Sequence, residues 1–165
     1  MKPQVYVGTY AKYNAGSILG AWVDLSSFDS ADSFIDYCKE LHKDEPDPEL
    51  MFQDYEGFPS QYYHESEIHP DLWDEFLKLD DNQREIMAAY IECTGDTSAN
   101  FDDVENSYFG KWDDFDDFAF DYVASTGMLA NIPDEIARYF DYSSFSRDLS
   151  FDYMQSSEGH IFSNY

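Results

Sequence analysis

The chain has 165 residues, with 35 Asp and Glu against 9 Lys and Arg, a formal net charge of -26 and 19% aromatic residues. That sign of charge excludes direct binding to a nucleic acid backbone, which needs a basic footprint, and disfavours anionic membrane surfaces. The aromatic content argues against simple disorder, because Tyr and Phe, 14 of each, bury large areas at small entropic cost.

Val5 to Tyr10 reads as a strand, Asn14-Ala15-Gly16 as a turn, and Ile18 to Leu25 as a second strand antiparallel to the first. Ser30 is placed to cap a helix running to about His42, with Phe34, Ile35, Cys38 and Leu41 on its apolar face. Asp44-Glu45-Pro46-Asp47-Pro48-Glu49 fits neither helix nor central strand and is expected as an exposed acidic loop, followed by a strand from Met51 to Tyr55. From about 61 the pattern turns helical. Pro70 suits the first turn of a helix carrying Leu72, Trp73, Phe76 and Leu77. Asp80 or Asp81 caps the next helix, which carries Ile86, Met87, Tyr90 and Ile91 and stops near Gly95. A short helix takes in Phe101 and Val104. Beyond it come a strand at Tyr108 to Trp112, a helix from Asp113 to Thr126 ended by Gly127, and a helix opened by Pro133 that holds Ile136, Ala137 and Phe140. Phe151 to Met154 and His160 to Ser163 form a hairpin. The expectation is an α+β fold with small antiparallel sheets. It consists of three small units: mixed over 1–60, helical over 61–106 and mixed over 107–165. Cys38 and Cys93 lack paired spacing and read as buried thiols. With no apolar signal core after Met1-Lys2-Pro3-Gln4 and no membrane-length segment, the reading is a cytoplasmic protein.

The acids are unevenly laid out. Residues 44–77 hold eleven Asp and Glu with no Lys or Arg, and residues 85–137 hold thirteen with Lys111 alone opposing them. The candidate partner-binding acids are Asp44, Glu45, Asp47, Glu49, Glu65, Glu67, Asp71, Asp74, Glu75, Asp80, Asp81, Glu92, Asp96, Asp102, Asp103, Glu105, Asp113, Asp114, Asp116, Asp117 and Asp121. In Asp113-Asp114-Phe115-Asp116-Asp117-Phe118-Ala119-Phe120-Asp121 the acids interleave with aromatics at helical spacing, so rings bury while carboxylates stay wet. Duplex DNA carries one charge per ~1.7 Å of axis, so a charge of -26 matches roughly 44 Å of duplex, whereas a compact chain of this length is about 40 Å across. The protein carries charge at about the linear density of DNA. Carboxylates on helices present anionic oxygens to Arg and Lys much as phosphates do.

Other chemistries find little support. His64-Glu65 and Glu67-Ile68-His69 lack zinc-motif spacing, and Asp102-Asp103-Val104-Glu105-Asn106 lacks the glycine of a calcium loop. No nucleophile elbow, Cys–His pattern or phosphate-cradling glycine loop is present, so no catalysis, metal or cofactor is expected.

Two stretches carry a family likeness. Val5-Tyr6-Val7-Gly8-Thr9-Tyr10-Ala11-Lys12-Tyr13-Asn14, then Gly16-Ser17 and Gly20-Ala21-Trp22-Val23-Asp24-Leu25, with Phe52-Gln53-Asp54-Tyr55-Glu56, resemble the opening of the ArdA antirestriction proteins. Met128-Leu129-Ala130-Asn131-Ile132-Pro133-Asp134-Glu135-Ile136-Ala137-Arg138-Tyr139-Phe140-Asp141-Tyr142, continued by Phe145 and Arg147-Asp148-Leu149, resembles that family's antirestriction motif. Asn131 stands where family members often carry an acid. The resemblance implies a DNA mimic carried by conjugative plasmids and transposons. It implies that this mimic inhibits type I restriction-modification enzymes by occupying the DNA-binding groove of the methyltransferase core. It further implies an elongated chain that acts as a homodimer, with Met128, Leu129, Ile132, Pro133, Ile136, Arg138, Tyr139, Phe140 and Tyr142 at the dimer contact. The apolar character of that stretch fits a contact or a core rather than a phosphate mimic, and Arg138 and Arg147 are suited to neutralise acids where two such chains meet. The competing reading is a general acidic chaperone or adaptor for basic proteins, which works with flexible acidic tails.

Overall fold

The computed structural model of the chain describes residues 2–164. Strand β1, Gln4–Thr9, buries Val5 and Val7 completely and is the centre of the first sheet, whose order is β2-β1-β3 with both pairings antiparallel. Val5 stands opposite Val23 of β2 (Ala21–Asp24) and Tyr55 of β3 (Leu50–Glu56), and a bulge falls between Tyr6 and Val7. Thr9 ends the strand and caps the short helix α1, Tyr10–Asn14, by accepting from the Lys12 amide. Tyr10 is therefore helical rather than the last strand residue.

The expected strand over Ile18 to Leu25 is confined to β2. Gly20 passes so close to β1 that a Cβ there would collide with the Val7 carbonyl oxygen, and the Ile18 carbonyl accepts from the Tyr6 hydroxyl at 2.9 Å. Ile18 and Leu19 are left exposed on this irregular approach. Helix α2, Ala31–Leu41, starts at Ser30 with a capping box closed by Ser33, and buries Phe34 and Cys38. Burial pushes the Cys38 thiol up to about 12. Both cysteines are free, Cys93 half-buried.

The helix expected after Pro70 is instead one π turn, Leu72–Phe76, in which the Leu77 amide donates to the Leu72 carbonyl at 2.8 Å. That turn still buries Leu72, Trp73 and Phe76. The Trp73 indole donates to the Leu25 carbonyl at 3.2 Å, and its ring lies 5.5 Å from Phe34. Helix α3, Asp81–Thr94, runs between the Asp80 cap, boxed with Gln83, and Gly95 in the left-handed conformation. Helix α4, Phe101–Ser107, is capped by Asn100.

Strand β4, Tyr108–Lys111, leads to helix α5, Phe115–Thr126, capped by Asp114 and closed by left-handed Gly127. The helix opened by Pro133 is only α6, Asp134–Ala137, and Phe140 lies beyond it. Helix α7, Tyr142–Leu149, was not expected; Asp141 caps it by accepting from the Ser144 amide. The expected hairpin is present as β5, Tyr153–Gln155, and β6, His160–Ser163, and β4 pairs on the other side to give the order β4-β6-β5. The chain is thus α+β with two small antiparallel sheets.

One apolar cluster runs from Val5 to Val104 and takes in Phe162, while a second gathers Phe118, Ala119, Leu149 and Ile161. Adjacent strand residues point to opposite faces, so β6 places Ile161 in one core and Phe162 in the other, both fully buried. The β5–β6 turn depends on Gly159, whose φ is +90° and whose Cβ, if present, would collide with the Trp112 carbonyl oxygen. Gly16 has a similar φ of +80° but faces open space. Gly16→Ala is expected to cost about 1 kcal/mol, the left-handed penalty alone. Gly159→Ala is expected to cost roughly 3 kcal/mol or more, because backbone must move as well. Urea unfolding of the two variants checks this, and equal losses would mean that the Trp112 carbonyl is free to shift.

Candidate functional site

The local rules that build the helices also set out the carboxylates. Asp80 and Asp114 cap α3 and α5. Asp81 and Glu92 ride on α3, Asp102, Asp103 and Glu105 on α4, and Asp116, Asp117 and Asp121 on α5. Acids in first helical turns are favoured by the exposed amides there, by about 0.3–1 kcal/mol each. Asp113 precedes the α5 cap, and Asp96 holds the turn after α3 by accepting from the Ser98 amide and hydroxyl at 3.0 and 2.8 Å. Asp71, Asp74 and Glu75 sit on and beside the π turn, and Glu65 and Glu67 lie in the loop between the bridged residues Tyr63 and Ile68. Asp44, Glu45, Asp47 and Glu49 follow α2 in a loop, as expected.

Eighteen of the 21 candidate acids are exposed; Glu45, Asp71 and Glu75 are half-buried. Several have structural duties. Glu45 accepts from the Thr9 hydroxyl at 2.6 Å, and Lys12 lies 2.9 Å from Asp44 and 3.6 Å from Glu45. The Lys12 hydrogen bond holds the Asp44 carboxyl below its usual value. Asp71 lies 3.3 Å from His69, Glu75 3.2 Å from Lys78 and Asp81 3.9 Å from Arg84. Glu92 accepts from the Ser157 amide at 3.0 Å. By contrast, no salt bridge among the described residues joins Asp47, Glu49, Glu67, Asp74, Asp102, Asp103, Glu105, Asp113 or Asp117 to a base.

Residues 113–121 show the strongest crowding. The Asp117 carboxyl is raised above its ordinary value, first by Asp114, then by partial desolvation, then by Asp113, Asp121 and Asp116. A groove beside this crowd is lined by Asp113, Asp117, Asp121 and Glu158 with Lys111, Trp112 and Phe120, and a separate groove lies between the 57–61 turn and α3, with Asp81, Arg84, Glu85, Glu92 and Glu158 among its lining.

Glu85 and Glu158 were not among the candidates. Residues 85 and 158 are far apart in sequence, and Lys111 brings them together, lying 2.9 Å from Glu85 and 3.5 Å from Glu158. His160, buried, lies 3.2 Å from Glu85 and 3.0 Å from the Tyr108 hydroxyl. Lys111 holds the Glu85 carboxyl below its usual value, with a smaller contribution from His160. Glu85, Glu158 and His160 offer ligand atoms within 4.8 Å of one another, but the Lys111 ammonium already serves both carboxylates. His64-Glu65 and Glu67-Ile68-His69 form no such cluster among the described residues.

The segment after α5 divides by exposure. Met128, Ile132, Ile136 and Tyr139 are exposed, the last at 78%. Pro133 and Arg138 are also exposed, and Leu129, Phe140 and Tyr142 are half-buried. Phe140 packs on Tyr142 and Phe145, with ring centroids 4.8 and 5.5 Å apart. The Arg138 side chain donates to the Glu135 carbonyl and lies over the Tyr139 ring, and Arg147 meets the adjacent Asp148.

A family model described as antirestriction protein (ArdA) matches residues 5–162. The chain belongs to the ArdA antirestriction family. An antirestriction role follows from that membership, and the restriction machinery is the partner class it points to. No curated protein matches the chain. No helix among the described residues is long and apolar enough to cross a membrane. Within this ArdA chain, the acids legible from sequence are mostly surface groups, and a minority serve as internal partners for Lys12, Lys78, Arg84 and Ser157.

The raised Asp117 pKa carries a definite sign. Its folded value exceeds its unfolded one, so the folded chain binds the extra proton in the window between them. Its stabilising effect is present below the unfolded value and is lost as pH rises through the folded one. Carboxyl NMR titration is expected to place the Asp117 midpoint above 3.8, and Asp114→Asn is expected to lower that midpoint. A midpoint indifferent to Asp114→Asn would assign the shift to desolvation and the other three acids instead.

Proposed function

We propose that this protein inhibits type I restriction-modification enzymes by occupying the DNA-binding groove of the methyltransferase core, with carboxylates standing in for phosphates. The observation that carries this reading is the seating of exposed carboxylates, without a salt bridge among the described residues, on capped helices, above all Asp102, Asp103 and Glu105 on α4 and Asp117 and Asp121 on α5. Arg and Lys side chains that grip a phosphate accept a carboxylate in the same geometry. An acidic adaptor for basic proteins in general works with flexible tails. The fixed helical positions of these acids favour the mimic.

The reading requires competition with DNA. Excess duplex is expected to displace the protein from the methyltransferase, and affinity is expected to fall steeply as salt rises. Binding indifferent to excess duplex would place the contact outside the DNA groove. Because the charge is distributed, Asp103→Asn, Glu105→Gln or Asp113→Asn is each expected to weaken inhibition by no more than about three-fold, the scale of one screened pair. Loss of all inhibition from one such change in a folded chain would point to a single hot spot.

We further propose that the active form is a homodimer joined through Met128, Ile132, Ile136 and Tyr139. Four large exposed apolar side chains within one short stretch support this, as does Arg138, which has no salt bridge among the described residues and is available to a second, acidic chain. Ile136→Asp and Tyr139→Asp are expected to shift the protein to monomer in sedimentation velocity, with circular dichroism unchanged. A dimer that survives both substitutions would lie on a different face.

A further inference from the structure

Beside α5 lies an open groove of about 620 Å³, walled by Phe109, Trp112, Phe118 and Tyr122, with Asp121 on its edge. Its size is within the range of roughly 300–1,000 Å³ typical of small-molecule sites. The walls are built rather than incidental. Trp112 is seated against Gly110, where a Cβ would stand 2.9 Å from the indole, and its amide donates to the Gly159 carbonyl at 3.0 Å. Its indole N–H donates to Asp121 Oδ2 at 2.9 Å. Phe118 forms the floor, buried, with its ring 4.9 Å from Trp112 and 5.9 Å from Tyr122. Phe109 stands half out of the surface at 47% exposure.

The electrostatics of the groove are one-sided. Asp121 Oδ1 has no hydrogen-bond partner among the described residues, and on its far side Asp121 shares a second groove with Asp113 and Asp117. No base lines the aromatic groove, and Lys111, which lines the second one, is held by Glu85 and Glu158. An aromatic wall beside an unneutralised carboxylate repels anions. A neutral apolar occupant would bury that carboxylate uncompensated. A cation gains from both the ring faces and Asp121, and a guanidinium gains more than an ammonium because it is planar, weakly hydrated and stacks on rings.

We propose that this groove binds an arginine side chain of a partner protein, with the guanidinium against Trp112 and Phe109 and Asp121 as its counter-ion. The proposal deepens the mimicry reading, since it gives the basic partner one pocket of defined shape in addition to dispersed carboxylates. It rests on that reading for the partner only. Arginine binding by the isolated chain is measured without any restriction enzyme, so either claim can fail alone.

The test is an NMR titration of the nitrogen-labelled full chain at low salt with N-acetylarginine amide, N-acetyllysine amide and N-acetylnorleucine amide. The expected result is a saturable shift of the Trp112 indole resonance with arginine, weaker binding of lysine, and no binding of norleucine. Asp121→Asn keeps an oxygen for the indole but removes the charge, and is expected to weaken arginine binding about five-fold; Phe109→Ala is expected to weaken it by a similar factor. Norleucine binding as tightly as arginine would overturn the proposal and assign the groove to apolar side chains. Arginine shifts confined to residues 113–117, with Trp112 unmoved, would reduce the effect to diffuse counter-ion binding and overturn it as well. A Trp112 resonance that moves with protein concentration alone would assign the groove to a second copy of the chain.

Discussion

Burial of aromatic rings has to outweigh the mutual repulsion of carboxylates held on the same elements. Helix α5 shows both sides of that balance. Asp116, Asp117 and Asp121 face solvent while Phe118 is buried, and the Phe118 ring meets Phe109, Trp112, Phe115, Tyr122 and Tyr153. Such ring pairs are worth about 0.5–1.5 kcal/mol each beyond the area they bury. The repulsion is visible in Asp117, whose carboxyl resists ionisation chiefly because Asp114 stands near it. A ring buries more area per inward position than an aliphatic side chain does. Fewer positions need be apolar, and the remainder are left for acids. That is how a chain of -26 still closes two cores.

Three of the nine bases sit at joints between elements. Lys12 on α1 ties down the loop after α2 through Asp44 and Glu45. Lys111 on β4 joins Glu85 of α3 to Glu158 of the β5–β6 turn. Arg84 donates to the Phe76 and Leu77 carbonyls, closing the end of the π turn. Placed there, Lys12 and Lys111 each bridge two carboxylates, and Arg84 serves backbone carbonyls. The outward acids of α4 and α5 have no salt bridge among the described residues, which leaves them open to a basic partner.

What the sequence shows well is what neighbours in the chain decide. Ser30, Asp80, Gly95 and Gly127 mark helix ends through hydrogen bonds and backbone angles within a few residues, and all four act where expected. What it hides is decided at a distance. Ile18 and Leu19 have strand composition, yet the close approach of Gly20 to Val7 takes the chain off the sheet before them. Helix α7 had an apolar repeat at Tyr142, Phe145 and Leu149, but Ser143, Ser144 and Ser146 are weak helix formers, and the helix is secured by the Asp141 cap and by a hydrogen bond from buried Ser146 to Asp116. The candidate acids were legible as surface groups because charge at helical spacing has one favourable direction to face. Glu85, Glu158 and the Trp112 groove were not legible, since only folding brings positions 85, 111, 112 and 158 to one place.

Strand β6 then decides how the acid-bearing helices stand to one another. Phe162 packs edge-on against Tyr90 of α3 at 5.4 Å, while Ile161 lies in the cluster with Phe118 and Ala119 of α5. Because the two residues are adjacent and fully buried on opposite faces, a slip of one position in the β4-β6-β5 pairing would turn each out of its own core. Both cores therefore oppose the slip together, and the Lys111 bridge from β4 to Glu85 resists it a third time. Carboxylates on α3 and on α5 are thereby held to a common strand rather than to a flexible tether. A partner that grips phosphates distinguishes acids by spacing as well as by sign, and in this chain two uncharged apolar residues of β6, together with the Lys111 bridge, tie those two helices to one strand.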